Sequence, residues 1–453
     1  MKINIILYYL LKIILPGESL YKLPFNTIGN KIYDKNHQEF IANGVSKSGL
    51  EYLYIDIKQY TEVIIDFDIM EMKKWNLNIV RIPIRDKFWM DYSYQRIIHY
   101  FVDKLWSNSI ISILDLHTLG DNYGLDPFMK KNKEMDAYKI WKLISIEFKE
   151  KEYVWYEIFN EPHDISPQIW WYGNENYYGY KEIIGMIRET TDRILLLGGL
   201  DYAYQWKFLE YNREIYEEIK LNKNIILTTH PYGYKGLPNE NGENTIVIPT
   251  EIRYPKDENY IGNCSMGYTI PKVKKNEYGW DESFGYIHNQ NIFPIILTEF
   301  GLDREDTSIQ GGWYSNDLME YVENKSMGWI AWAWIKDRLD YPSLLQENFE
   351  PTGIAMNREA CSIKENNYYP GPGLMIYRKL KYQYKLGRIL KILKQKINLN
   401  KINVKQIEKI YKKEEKKIII IIIIMIIYII YECTKHREIT MNRIRSLQEI
   451  YLK

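Results

Sequence analysis

Short apolar runs recur along the chain at residues 39–45, 79–83, 110–116, 154–160, 193–197, 225–230, 295–300 and 329–334. Each has the length of a strand, and near-continuous apolar character is that of strands buried on both faces. Polar stretches of helical length lie between them, and 61–75, 95–107, 138–149, 178–190, 280–290 and 315–324 predict helices. Strands that alternate with helices build parallel βαβ units. Eight such strands predict an α/β fold closed into a (β/α)8 TIM barrel. A doubly wound open sheet is the other solution to this alternation. It wants a glycine-rich phosphate loop after the first strand, and no G-x-G-x-x-G occurs there.

A barrel of this kind carries its chemistry at the C-terminal ends of its strands. Polar residues collect at those ends here. Arg81 stands near the end of the second run and His117 follows the third. Asn160-Glu161-Pro162 closes the fourth, and His230-Pro231-Tyr232 the sixth. Glu299 closes the seventh, and Trp332 and Trp334 the eighth. Any one of these has a bland reading as a core residue or a solvated acid; six strand ends in one barrel do not. Burying a carboxylate is costly, so Glu161 and Glu299, each at the end of an apolar run, need a reason to be there. A pair of carboxyls is the equipment for breaking a glycosidic bond, one acting as acid and the other as nucleophile or base.

Charge narrows the picture. The chain of 453 residues has a net charge of +1, but residues 391–453 hold 15 Lys/Arg against 6 Asp/Glu, while the rest holds 45 against 53. The body is mildly acidic and shows no electrostatic footprint for nucleic acid. An aromatic content of 15% supplies rings suited to sugar faces, and equally to a core. Cys264, Cys361 and Cys433 make no disulfide framework, although the first two could pair in a secreted body.

The two ends differ from the body. Residues 3–15 follow Lys2 and resemble the apolar region of a signal peptide, interrupted by Lys12 and ended by Pro16-Gly17. Residues 1–19 are therefore expected to be a signal peptide and the protein to be secreted, which the sequons at Asn263 and Asn324 allow. Residues 418–431 form an unbroken apolar run dominated by Ile, shorter than the ~20 residues that span a bilayer. Flanking Lys412, Lys413, Lys416 and Lys417 could extend it as a membrane attachment. A buried or aggregation-prone segment is the other reading. Residues 20–390 are expected to form the catalytic domain and 391–453 a basic extension.

At the strand ends the sequence resembles glycoside hydrolase family five, the cellulase family. That family shares an Arg after the second strand, a His after the third and Asn-Glu-Pro after the fourth. It also shares His-x-Tyr after the sixth strand, Glu after the seventh and Trp after the eighth. Here these are Arg81, His117, Asn160-Glu161-Pro162, His230 with Tyr232, Glu299, and Trp332 or Trp334. The entry around Asn43-Gly44-Val45 and the segment from Trp280 to Gly301 are also similar, and the resemblance runs over residues 24–385.

The resemblance implies a retaining double displacement on a polysaccharide, with Glu299 as nucleophile and Glu161 as acid/base. Arg81 would favour the charged form of Glu299 and Tyr232 would donate to it. Asn160 would bind the sugar 2-hydroxyl, His117 and His230 the sugar or the carboxylates, and Trp332 or Trp334 would stack under the sugar. A β-1,4-glucan leads as substrate; mannan, β-1,3-glucan, xyloglucan and glycolipid share the mechanism. A non-catalytic sugar-binding barrel is the rival class, against which the intact carboxyl pair speaks. No cofactor or metal is implied, because acid/base and carboxylate chemistry needs neither. The expected form is a monomer.

Overall fold

The computed structural model describes residues 21–52, 62–118, 126–131, 135–232, 237–238, 244–246, 279–301, 318–336, 343–352 and 373–381. The expected signal peptide, the basic extension with its apolar run, and all three cysteines lie outside the described residues. The chain divides into two compact units, Met1–Tyr382 and Gln383–Lys453, and the described residues belong to the first.

Eight parallel strands close into a barrel. In chain order they are β1 (Asn43–Ser46), β2 (Ile79–Arg85), β3 (Ile111–Thr118), β4 (Val154–Glu157), β5 (Leu195–Gly198), β6 (Ile225–Thr229), β7 (Ile295–Leu297) and β8 (Gly328–Ala331). Each pairs with its neighbour in sequence, and β8 pairs with β1 to close the ring. This is the (β/α)8 architecture that the alternation of apolar runs predicts. The first run is the exception. Glu39–Phe40 leaves the barrel and pairs with Lys31–Tyr33 in a three-stranded antiparallel sheet; the barrel strand begins only at Asn43. An unbroken apolar run does not reveal that two sheets share it.

That small sheet stoppers the N-terminal end of the barrel. Phe25, Ile32 and Phe40 pack with the inward-facing Ile79, Ile113, Trp155, Leu196, Ile226, Ile296 and Ile330. The rings of Phe25 and Phe40 each meet Trp155 edge-on at 5.5 Å. Gly44 on β1 lies so close to β2 that a Cβ would fall 2.2 Å from the Ile79 carbonyl oxygen, and only glycine fits.

The helices ring the barrel. Helix α1 (Glu62–Trp75) buries Ile65, Ile69, Met72 and Trp75 along one stripe. Helices α2 (Tyr92–Ser107) and α3 (Ala137–Glu147) start at Asp91 and Asp136, whose carboxylates accept backbone N–H groups of the first turn. Helix α4 (Tyr180–Arg188) follows β4, and α5 (Arg213–Lys220) follows β5. A π-helical turn (Asp281–Gly285) runs into Tyr286–Asn289 before β7. The polar stretches predict all of these except α5. Its three buried apolar residues, Ile215, Tyr216 and Ile219, stand among five charged ones in a helix of only eight residues, too short a segment to stand out as an apolar run.

Candidate active site

Arg81 is the hub of the barrel mouth. It lies in β2, in register with Ser46 of β1 and Ile113 of β3, and is fully buried. Every arm of its guanidinium is used. Nε donates to Glu157 Oε2 at 2.5 Å, Nη1 to Glu299 Oε1 at 2.6 Å, and Nη2 to Asn160 Oδ1 at 2.6 Å. Nη2 also pairs with Asp115 Oδ2 at 2.9 Å. Burial opposes its charge, but Asp115, Glu157 and Glu299 more than offset that, so it stays protonated. The planar fork explains why this position is arginine: a lysine could not reach four acceptors at once.

Glu299, two residues past β7, is nearly buried and held at both oxygens. Arg81 holds Oε1, and the Tyr232 hydroxyl donates to Oε2 at 3.0 Å. Glu161 lies four residues past β4 and keeps 29% of its side chain exposed. Its Oε1 is 2.8 Å from His230 Nδ1, and His230 Nε2 is 3.0 Å from Thr298 Oγ1. Oxygens of Glu161 and Glu299 and a ring nitrogen of His230 lie within 4.8 Å of one another. Among the described residues this is the group whose geometry could hold a cation. Its donors are already engaged with Arg81, Tyr232 and each other.

His117 lies one residue before the end of β3, with its Nδ1 2.7 Å from Asp115 Oδ2 and 4.0 Å from Glu299 Oε1. Burial lowers its proton affinity, but the charge and hydrogen bond of Asp115, with Glu299 and Glu51, push the imidazole up to about 9. It is therefore a cation at neutral pH. Its ring lies parallel to that of Trp332, 5.3 Å between centroids. The Arg81 guanidinium is 6.0 Å from the same indole.

The two tryptophans of the eighth run separate. Trp332 faces the mouth. Trp334 is fully buried, meets Trp75 of α1 edge-on at 5.0 Å, and points Nε1 at Asp68 Oδ1, 3.3 Å away. The expectation that Trp334 could stack under a sugar is therefore corrected. Strand β8 stops at Ala331, so the two-residue alternation that would put both rings on one face lapses before Trp334. The Trp332–Ala333 peptide bond is cis.

Every other expected site residue reaches the mouth. The strand-end reading missed what supports them: Asp115, Glu157 and Thr298. Asp115 and Glu157 face each other across β3 and β4, two like charges side by side that Arg81 joins. Burial pushes the Glu157 carboxyl up, Arg81 pulls it back, and Asp115 adds to the rise. The signal was present, since both are acids inside apolar runs, where an unpaired charge is costly. Glu51 is a further buried acid near His117. It accepts from Ser48 Oγ and the Gly49 N–H at 2.7 Å, and burial pushes its carboxyl up. Tyr202, 40% exposed, lies flat on His163 beside Glu161, 4.1 Å between centroids. Of the stretch 233–276 the structure describes Leu237–Pro238 and Asn244–Ile246, which pair antiparallel.

Comparison with known proteins agrees with this geometry. The family described as Cellulase (glycosyl hydrolase family 5) matches residues 33–338. An endoglucanase of Paenibacillus polymyxa is 21% identical over 358 residues, covering 72% of this chain and 83% of that protein. The structure of a β-glucanase from Saccharophagus degradans in complex with cellotetraose aligns with a TM-score of 0.52 at 18% identity, covering 82% of this chain and 98% of that one. An endocellulase from Pyrococcus horikoshii aligns with a TM-score of 0.52 at 16% identity, covering 74% and 96%. At such identities the structural likeness is one of fold.

Proposed function

The chain belongs to glycosyl hydrolase family 5, the cellulase family, and on that premise we propose that it cleaves β-1,4-glucan within the chain, with retention. Glu299 is the nucleophile and Glu161 the acid/base. One observation carries the mechanism: oxygens of the two carboxyls lie within 4.8 Å. So close an approach of one oxygen from each carboxyl suits the about 5–5.5 Å carboxyl separation of retaining enzymes better than the about 6.5–9.5 Å that admits a water between acid and base.

In the first step Glu299 attacks the anomeric carbon while Glu161 gives its proton to the departing oxygen. A covalent glycosyl-enzyme forms and the glycosidic bond breaks. In the second step Glu161, now a carboxylate, takes a proton from water, whose oxygen displaces Glu299. Arg81 and Tyr232 hold the attacking carboxylate in one orientation, which saves the entropy of finding it. Asn160 accepts from Arg81 through Oδ1, so its amide nitrogen is the group turned to the sugar, and it binds the 2-hydroxyl. The His117 cation adds a donor, and Trp332 is the floor under the sugar at the cleavage point. The glucan preference rests on the endoglucanase and cellotetraose-bound β-glucanase among its relatives.

The test is reducing-sugar release from a cellulose derivative, mixed-linkage glucan, mannan, xylan and β-1,3-glucan. Release from the first two is expected. Glu299→Gln and Glu161→Gln should each lower it by at least about 10³-fold, within the range of losses for essential acid/base or nucleophilic groups. Glu161→Gln should spare the first step on a substrate whose leaving group needs no proton. Activity on mannan alone would move the substrate and keep the mechanism; full activity of Glu161→Gln on polysaccharide would overturn the acid assignment.

A further inference from the structure

Two neighbours decide which ring nitrogen of His230 carries its proton. Nε2 lies 3.0 Å from Thr298 Oγ1, and Nδ1 lies 2.8 Å from Glu161 Oε1. Thr298 Oγ1 donates to Glu157 Oε1 at 2.8 Å, and Glu157 Oε2 accepts from Arg81 Nε at 2.5 Å. A hydroxyl has one proton to give. Thr298 gives it to Glu157, so toward His230 it can only accept. The proton of a neutral His230 then sits on Nε2, and Nδ1 turns a lone pair toward Glu161. Glu157, Thr298 and His230 are all fully buried, which keeps bulk water out of the chain.

We propose that Thr298 and Glu157 are positioning residues that hold Glu161 in its proton-donating form. With His230 neutral, the chain Arg81–Glu157–Thr298–His230 offers Glu161 an acceptor and not a donor. A protonated Glu161 satisfies that acceptor; an ionised one faces a lone pair. The acid is thereby ready for the first step, and the carboxylate it leaves behind is primed to take a proton back from water in the second. One proton leaves Glu161 for the departing oxygen and one returns from water, while His230 and Thr298 end as they began. The proposal rests on the retaining-hydrolase reading of Glu161 and Glu299.

Other charges face this pair from the surrounding strands. Glu299 Oε2 is 3.8 Å from His230 Nδ1 after β7. Glu157 on β4 and Arg81 on β2 close the network below, and Asp115 and His117 on β3 stand beside Glu299 and Arg81. Tyr232 lies on the same loop as His230, and Tyr202 after β5 feels the Glu161 charge. Thr298→Val removes a hydroxyl and leaves all of these in place. His230 can then move its proton to Nδ1 and donate to the Glu161 carboxylate, which stabilises the wrong form.

The experiment is the pH profile of kcat/KM on a soluble cellulose derivative, joined to ¹⁵N spectra of the histidine rings in the full chain. Thr298→Val should draw the alkaline limb down by about one pH unit, an about tenfold loss above it. Thr298→Ser, which keeps the hydroxyl, should restore the wild-type limb. The spectra should show His230 protonated on Nε2 in the wild type and on Nδ1 in Thr298→Val. An alkaline limb unmoved in Thr298→Val would overturn the proposal, as would an Nδ1–H tautomer or a ring protonated on both nitrogens in the wild type. A wild type without activity on any glycan would sink the hydrolase reading instead, and the wild-type tautomer would still be read.

Discussion

His117 binds its proton against burial, and that has a consequence for stability. Its imidazole is pushed from an ordinary value near 6.5 up to about 9, by Asp115 above all. A group whose proton affinity rises on folding stabilises the fold fully below its unfolded value and loses that contribution as pH climbs through its folded one. The contribution is therefore complete below about pH 6.5 and gone above about pH 9, and a shift of this size is worth roughly 3 kcal/mol at most. Urea unfolding of wild type and His117→Asn should show a gap between the two that is wide at pH 6 and shrinks by pH 9.5. A gap that does not change with pH would mean that His117 is neutral in the fold. Single residues were readable in sequence where they sat at the end of an apolar run: Arg81, His117, Glu161, His230 and Glu299. Asp115, Glu157 and Thr298 lie inside such runs or one residue short of the end. What they do depends on the register between β3, β4 and β7, which no single run contains. The same holds for Trp332 against Trp334, because the end of a strand decides which ring faces the mouth.

At the scale of elements, apolar runs located all eight strands, since a strand buried on both faces has almost no polar position to confuse the pattern. What the runs could not give was the partition of residues 39–45 between two sheets, or where loops turn. The small sheet sits at the end of the barrel opposite the carboxyl pair, and barrels separate stability from chemistry along their axis. Phe40 is fully enclosed there against Trp155, Phe25 and Tyr21. Phe40→Ala should cost about 3–5 kcal/mol, the usual loss for an enclosed aromatic. Because no site residue touches this sheet among the described residues, kcat per folded molecule should stay at the wild-type value. Thermal unfolding and active-site titration together check this; a fall in kcat with no fall in stability would mean that the plug communicates with the mouth.

At the scale of the whole molecule, the charge asymmetry sets up a test of the C-terminal extension. Residues 391–453 carry 15 basic against 6 acidic side chains, and 418–431 are apolar throughout. Among the described residues no helix is long and apolar enough to cross a membrane, and the extension lies outside them. We propose that those two features offer two kinds of membrane attachment, and salt tells them apart. Attraction of lysines to an anionic surface is screened at high ionic strength, where the Debye length falls to about 3 Å at 1 M. Insertion of an apolar run is strengthened, if anything, by salt. The expectation is that the full chain, expressed in cells and fractionated, pellets with membranes and stays there in 1 M salt, as about 14 apolar residues with snorkelling lysines would require, while a chain ending at Leu390 remains in the supernatant with its glycosidase activity unchanged. Release by salt would leave the charge as the only anchor. Equal solubility of both chains at low salt would remove the attachment altogether.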